Sequence, residues 1–371
     1  MIKKILSVDR GNLLDGFLLC VFMLALPFYS FANGMPQPAD LAMLVLLGRL
    51  ALVLSRKREL PVGLWEHGLP LALFVLYAWA LTLVWTLRLG EARMLVYPLF
   101  YSYNLAVFGG SMLLFLRRGD GFLRMAMHAA AASLILQVLL SPLAFQADAF
   151  RQTLFLNGPN QLGYFALLAV TLFVLGDNRR RVHPAYLILV FAAASYLAVL
   201  SLSKSALLAL AALVFITGLR RPWILAVAAV AGLAAFFLSD SQPLLVKVSE
   251  RLFTIGVDFD DSLAGRGYDR LLHHPAHMFL GAGEGAFWRF ESFIVGEVHS
   301  SFGTLIFAYG LPGLALFVFF LARVYQSAGW ASFALTLPIL FYGLTHQGLR
   351  FRLLWVLLAF LAAGREQGDR Q

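Results

Sequence analysis

Long apolar segments follow one another along almost the whole chain, and this pattern constrains the fold more than any other feature. With 60% hydrophobic and only 13% charged residues, the chain is too apolar for a soluble domain of its length. Apolar segments of roughly 17–25 residues can cross a bilayer, and they must be helical because lipid offers no partners to backbone polar groups. The sequence therefore predicts an all-α integral membrane protein with about twelve transmembrane helices, over residues 13–32, 39–54, 68–86, 94–116, 122–143, 159–176, 184–202, 205–218, 222–239, 299–322, 328–344 and 351–363.

The placement of charge predicts how these helices are oriented. A formal net charge of +9 would also suit a nucleic-acid-binding protein. Here, however, most Lys and Arg residues fall on every second connection between the apolar segments, and few fall on the others. The positive-inside rule assigns the basic connections to the cytoplasm, so both ends of the chain are predicted to be cytoplasmic and no nucleic-acid partner is expected.

Residues 1–32 have a second interpretation as a signal peptide. Lys3 and Lys4 precede the apolar stretch, and Ser30-Phe31-Ala32 loosely fits a small-x-small cleavage site. The stretch is longer than the apolar region of a signal peptide, and its removal would upset the alternation of charge downstream. A first transmembrane helix is therefore preferred, with the signal peptide as the alternative.

One connection, residues 240–298, is long enough to fold outside the bilayer, and its parity places it in the periplasm. It divides the chain into nine predicted helices (1–239), a periplasmic loop (240–298) and a last part (299–371) with three helices and a cytoplasmic tail. The loop contains nearly half of the chain's 20 acidic residues. It also contains several aromatic residues, which favour a folded, functional loop over a disordered one.

The predicted spans contain little that a transporter would use. No Asp or Glu lies in the central part of any span, although intramembrane carboxylates are typical of proton-coupled transport. Asn104 and Gln137 are the notable polar residues in mid-span, and we expect each to form an interhelical hydrogen bond. A proton-coupled transporter is therefore disfavoured, whereas a lipid-linked glycan flippase with a cationic cavity remains an alternative.

Basic residues persist on the predicted outer side despite the topological bias against them. Six lie on short connections and three on the long loop: Arg88, Arg93, Arg151, Lys204, Arg350, Arg352, Arg266, Arg270 and Arg289. Each is explained either by pairing with a loop carboxylate or lipid phosphate, or by a site for an anionic substrate. For Lys204 the second explanation is favoured, because no acid is near it in the sequence.

The histidines of the predicted outer side separate into two groups. The run 273–277 contains three histidines and residues 258–261 contain three aspartates, but neither has the ligand spacing of a known metal motif, so no metal site is predicted. His299 and His346 differ because each stands where an outer connection meets a span. A neutral imidazole at such a place suits proton transfer near pH 7.

Several stretches of the predicted outer side occur in a characteristic order. They are Gly158-Pro159-Asn160-Gln161-Leu162-Gly163, then Leu202-Ser203-Lys204-Ser205-Ala206, then Gly265-Arg266-Gly267-Tyr268 with Leu280-Gly281-Ala282-Gly283-Glu284-Gly285, and finally His299-Ser300-Ser301-Phe302 with Tyr309-Gly310-Leu311-Pro312-Gly313. This order resembles the motifs of the O-antigen ligase and O-antigen polymerase superfamily of bacterial membrane glycosyltransferases. Lysine stands at 204 where the family usually has arginine, and serine stands at 300 where it usually has asparagine.

The resemblance implies a GT-C-like, metal-independent glycosyltransferase of the bacterial inner membrane, with its active site facing the periplasm and no cofactor. Its donor would be a glycan on undecaprenyl pyrophosphate. It implies His299, Arg266 and Lys204 as catalytic residues, with the histidine engaging the acceptor hydroxyl and the two cations holding the pyrophosphate. Four further residues are implied in binding the donor or another substrate: Arg270, Arg350, His346 and Asn160. Arg270 also competes with Arg266 for the role of the key loop arginine.

The resemblance leaves the acceptor open. A repeat-unit polymerase of O-antigen or exopolysaccharide joins the glycan to a second lipid-linked glycan, whereas a ligase joins it to lipid A core. The spacing from Arg270 to Gly281 and the His-Ser element favour the polymerase. The implied partners are the lipid-linked oligosaccharide, the acceptor glycan or lipid A core, membrane lipids and, as a further option, other polysaccharide assembly proteins.

Overall fold

A computed structural model describes residues 10–32, 34–57, 61–147, 149–179, 181–238, 242–257, 262–290 and 296–363. It is all-helical, with 79% helix and no strand among the described residues. The all-α class predicted from the sequence is therefore confirmed. Residues 1–9, at the start of the possible signal peptide, and residues 258–261, which contain three aspartates, lie outside the described ranges.

Fourteen α-helices are formed by the described residues. They are α1 (Arg10–Ala25), α2 (Pro38–Lys57), α3 (Val62–Leu89), α4 (Val96–Arg118), α5 (Asp120–Ala144), α6 (Pro159–Arg179), α7 (Pro184–Ser201), α8 (Lys204–Arg220), α9 (Pro222–Leu238), α10 (Pro243–Phe253), α11 (Asp269–His273), α12 (His277–Leu280), α13 (Ser301–Thr345) and α14 (Arg352–Ala362). Two short 3₁₀-helices, Ala92–Leu95 and Phe287–Arg289, complete the set.

Seven helical segments of the described chain are long and apolar enough to cross a membrane. They are Pro38–Ser55, Val62–Leu89, Ala92–Arg118, Asp120–Ala144, Pro159–Arg179, Pro184–Ser201 and Ser301–Thr345. Shorter apolar helices cover Leu13–Ala25, Pro222–Phe237 and Arg352–Ala362. The chain thus has the character of a multi-pass membrane protein, while the count of twelve spans stays a prediction.

Helix boundaries follow local sequence signals. Proline opens α2, α6, α7, α9 and α10, where its fixed φ suits the first turn and its missing N–H is not needed. The first predicted span, 13–32, is shortened because α1 ends at Ala25, two residues before Pro27. Gln37 then organises the turn after it, accepting from the N–H groups of Ser30 and Phe31 and donating to the carbonyl of Phe31.

The 45-residue helix α13 is a hairpin rather than a rod. Its backbone is non-helical at Gly310 (φ 64°, ψ −172°) and at Gly329 (φ 77°, ψ 163°). Its two ends meet, because the Ser301 N–H donates to the carbonyl of His346 over 3.1 Å. The predicted spans 299–322 and 328–344 are therefore the two arms of this hairpin, and Gly329 lies at the turn.

The helix α6 lies at the centre of the bundle, with 83% of its apolar window buried. It packs against α5, α7, α8, α13 and α14. Because Pro159 opens α6 next to the two ends of α13, the outer connections converge above the first turn of α6. This convergence positions the candidate site.

The connection between α9 and α13 folds onto α13 where that helix is broken. Pro312 has no N–H for the carbonyl of Ala308, and the N–H of Gly283 bonds to that carbonyl instead, at 2.9 Å. The N–H of Ala282 bonds in the same way to the carbonyl of Phe307, at 2.9 Å. This pair of hydrogen bonds, here called the loop seam, fixes the loop to the bundle.

The two mid-span polar residues behave differently from the prediction. The amide of Asn104 donates over 3.0 Å to the carbonyl of Leu349, which lies in the connection before α14 and not in another helix. The side chain of Gln137 is buried and has no hydrogen-bond partner among the described residues. The interhelical bonds expected from sequence are therefore wrong in detail, because periodicity does not show which backbone group a side chain will meet.

Candidate functional site

A cavity of about 410 Å³ opens where α6 begins and the ends of α13 meet. Four of the predicted site residues line it: Asn160, His299, His346 and Arg350. Aromatic side chains form much of the remaining wall: Tyr29, Phe100, Tyr103, Tyr164, Tyr342 and Phe351. An aromatic wall with convergent polar groups is suited to a substrate that has both apolar faces and hydroxyls, such as a sugar.

Arg266 connects the two histidines of the cavity. Its guanidinium Nη1 donates to the carbonyl of Thr345 at 2.9 Å and lies 3.4 Å from Nδ1 of His346. Because a guanidinium only donates, this contact assigns the His346 proton to Nε2. The backbone carbonyl of Arg266 accepts from the N–H of His299 at 2.9 Å. One loop residue therefore positions the backbone of His299 and the ring of His346.

His299 precedes the helix and does not cap it. Ser300 is the N-cap of α13, and its hydroxyl accepts from the N–H of Gly303 at 3.0 Å. The hydroxyl of Tyr268 donates to the same oxygen over 2.6 Å. The side chain of His299 is exposed and faces the cavity. Serine at position 300 thus has a capping role, which leaves the imidazole of His299 available to a substrate.

Arg350 is held by two carboxylates. It forms ion pairs with the buried Glu284 and, at 2.7 Å, with the partly exposed Glu297. Burial by itself would lower the pKa of Arg350, but the two carboxylates outweigh it and raise that pKa well above its ordinary value. Two negative charges around one positive charge leave this part of the wall net negative. Arg350 is therefore less suited to bind pyrophosphate than the sequence predicted.

Glu284 is a site residue that the sequence analysis missed. Its Oε2 accepts from the hydroxyls of Tyr101, at 3.0 Å, and Tyr309, at 2.7 Å, while Oε1 pairs with Arg350. The signal that would have found it is its position as the single acid within the glycine-rich turn 281–285. Glu297 pairs with Arg350 rather than with His299, so Glu297 does not set the tautomer of that histidine.

Three of the predicted cations, Arg266, Arg270 and Lys204, do not line the cavity, although Arg266 contacts His346 on its wall. The guanidinium of Arg270 is fully buried, donates to the carbonyl of Gly296 at 2.6 Å and lies over the rings of Phe287 and Phe290. Burial lowers its pKa, although Asp269 opposes the shift. The ammonium of Lys204 donates to the carbonyl of Thr254 at 2.9 Å, just after α10.

Asn160 is anchored to the cavity wall by two partners. Its Oδ1 accepts from Nη2 of Arg151 at 2.6 Å, and its carbonyl accepts from the hydroxyl of Tyr342 at 2.8 Å. Tyr342 stacks on Tyr164, with ring centroids 4.4 Å apart. Together these contacts fix the first turn of α6 against the second arm of α13.

The far wall of the cavity contains a polar cluster that the sequence did not predict. Arg352 pairs with Asp40 at 2.6 Å, and the hydroxyl of Tyr103 donates to the other oxygen of Asp40 at 2.8 Å. The carboxylate also accepts from the backbone N–H of Gln37 at 2.6 Å. Asp40 and Arg352 have their partners within the wall, so this ion pair mainly joins α2, α4 and the start of α14.

Compared with known proteins, the sequence matches no protein-family model and no curated protein. The geometry of the cavity and the resemblance of the outer motifs are therefore what supports a function for this chain.

Proposed function

We propose that this chain is a membrane glycosyltransferase that moves a glycan from undecaprenyl pyrophosphate to a sugar hydroxyl in surface-polysaccharide assembly. The observation that carries the proposal is the position of His299. Its exposed imidazole lies on the wall of an aromatic and polar cavity, and its backbone N–H bonds to the carbonyl of Arg266. The proposal places this cavity at the periplasmic face of the inner membrane.

The reaction needs a nucleophile, a base and a stabilised leaving group. The oxygen of the acceptor hydroxyl forms a bond to the anomeric carbon of the donor, and the bond from that carbon to the pyrophosphate oxygen breaks. The proton of the hydroxyl passes to the imidazole of His299, and undecaprenyl pyrophosphate leaves with the bonding electron pair. Cations near the departing pyrophosphate stabilise its developing charge.

Arg266 is the first candidate for that cation. It is partly exposed and contacts the ring of His346 on the cavity wall, whereas Arg270 is enclosed within the loop. Lys204 is the second candidate, because the hydroxyl of Thr345 bonds to Ser205 at 2.7 Å and Arg266 bonds to the carbonyl of Thr345. Thr345 thus bonds to Arg266 and to Ser205, the residue that follows Lys204.

A repeat-unit polymerase is the preferred form of the proposal, and a ligase is the alternative. The test is the surface-glycan pattern of a deletion strain on a gel, with the wild-type gene as complement. Loss of a polymerase leaves core capped with one repeat unit or abolishes a secreted polysaccharide. Loss of a ligase leaves bare core while long chains accumulate on the lipid carrier. Accumulation of lipid-linked glycan on the cytoplasmic leaflet would contradict both and indicate a flippase.

A further inference from the structure

A second cavity, of about 610 Å³, lies at the other end of the bundle and has no part in the proposed reaction. It lies at the end of α6, which begins at the first cavity and is 21 residues long, so the two cavities are about 30 Å apart. The turn of the α13 hairpin at Gly329 forms one side of it. We call it the basic cavity.

Arginines at the ends of two helices converge on the basic cavity. Arg179 ends α6 and Arg181 lies just after it, while Arg220 ends α8 and Arg221 lies just after it. No acidic residue is among the described lining residues. The positive-inside rule explains why arginines are on this side, but it does not explain why four from the ends of two helices surround one cavity.

Two of the four arginines are anchored and two are available. Arg221 pairs with the buried Asp177 at 2.6 Å, and the guanidinium of Arg179 lies 4.7 Å from the ring centre of Phe360. Arg181 and Arg220 are exposed, and neither forms an ion pair or hydrogen bond with another described residue. Arg181 and Arg220 thus have no counter-charge among the described residues, and an anion between them would reduce the repulsion of like charges.

The remaining lining adds hydroxyl and amide groups to these cations. Gln326, Ser327 and Ser332 line the cavity around Gly329. The hydroxyl of Ser327 is fixed, because it lies 2.7 Å from Nε2 of the buried His67. Planar guanidinium groups with neighbouring hydroxyls match the oxygens of a phosphate group.

The position of the cavity indicates the source of the phosphate. Leu175 near the end of α6, and Ala328 and Ala331 at the turn of the α13 hairpin, give it apolar edges. Trp330, beside Gly329, is 85% exposed, as is usual for tryptophan at the boundary between lipid and water. We propose that the basic cavity binds the phosphate-bearing headgroup of an anionic membrane lipid.

The test is a binding titration with the purified full-length chain in neutral detergent. Short-chain phosphatidylglycerol is titrated in one arm, short-chain phosphatidylcholine in a second, and inorganic phosphate and pyrophosphate in a third. We expect saturable binding of phosphatidylglycerol only. The variants Arg181→Gln and Arg220→Gln should each weaken that binding by about tenfold, because each removes a charge-assisted contact. Both residues are exposed, so these variants should fold.

The matched control is Arg117→Gln, which removes the same charge near the end of α4, away from the basic cavity. It should bind phosphatidylglycerol as the wild type does. Equal weakening by the control would overturn the site, because the effect would then reflect net charge. Binding of inorganic phosphate or pyrophosphate as tight as that of the lipid would overturn the lipid assignment.

Discussion

At the scale of single residues, the division of roles between His299 and Ser300 matters most. The Ser300 hydroxyl caps α13, and the backbone N–H of His299 bonds to the carbonyl of Arg266. The imidazole therefore lies on the cavity wall, where a substrate can contact it without displacing a helix cap. Arg270, by contrast, is enclosed in the loop, and its substitution would act first on folding.

The first residue-scale prediction is that His299→Ala lowers glycan transfer by a factor of about 10²–10⁴, the usual contribution of a general base. The amount of protein in the membrane should stay at the wild-type level, because the exposed side chain supports no packing. Transfer is measured in membranes supplied with lipid-linked donor, and binding of the donor is measured separately.

The matched control is His273→Ala, which removes another exposed histidine of the same connection that does not line the cavity. It should transfer glycan at the wild-type rate. Normal turnover in His299→Ala would end the assignment, and His346 would then be the histidine to test.

At the scale of the element, the loop seam depends on two glycines that face each other. A Cβ atom at Gly310 would come within 2.7 Å of the backbone N of Gly281, and one at Gly281 would come within 2.5 Å of the carbonyl oxygen of Ala308. Both also have positive φ, which disfavours any other residue. The break in α13 and the glycine-rich turn therefore pack directly against each other.

The seam is completed from the loop side by Arg289. Its Nη2 donates to the carbonyl of Ala282 at 2.7 Å and its Nε to the carbonyl of Ala286 at 3.1 Å. The guanidinium lies over the rings of Trp85 and Phe290, and burial lowers its pKa to about 10. Arg289 therefore stays charged at neutral pH and stabilises the turn that contains Glu284.

The element-scale prediction compares Gly310→Ala with Gly329→Ala. Both glycines have positive φ and extended ψ, a region that costs other residues on the order of 1–3 kcal/mol. Only Gly310 is also packed against backbone, since nothing lies within 4 Å of a Cβ placed at Gly329. Gly310→Ala should therefore lower the thermal unfolding midpoint in detergent further and open residues 262–290 to trypsin. Equal losses in the two variants would contradict the seam.

At the scale of the whole molecule, the two cavities separate two kinds of chemistry along the length of α6. One end combines histidine, carboxylates and aromatic rings, and the other combines arginines and hydroxyls. The predicted orientation assigns the first end to the periplasm and the second to the cytoplasm. Substrate chemistry and the binding of inner-leaflet lipid would then act on opposite faces of a single bundle.

The whole-molecule prediction is that reporter fusions after residue 181 and after residue 257 read opposite sides of the membrane. The first should read cytoplasmic and the second periplasmic, because an odd number of predicted spans separates them. A fusion after residue 119 should agree with the first, since two spans lie between them. Two cytoplasmic readings at 181 and 257 would remove the periplasmic site from the proposal.

The all-α class, the helices that begin at Pro159, Pro184 and Pro222, and the outer candidate residues were predictable from the sequence, because hydropathy and local backbone preferences depend on short stretches of chain. Four of the residues singled out in this way, Asn160, His299, His346 and Arg350, line one cavity in the structure. The partners of their side chains follow from the packing of the helices. The pairing of Arg350 with Glu284 and the enclosure of Arg270 join groups far apart in the chain or place them by packing. Such contacts have no periodicity, so they follow from how the helices pack and not from the pattern along them.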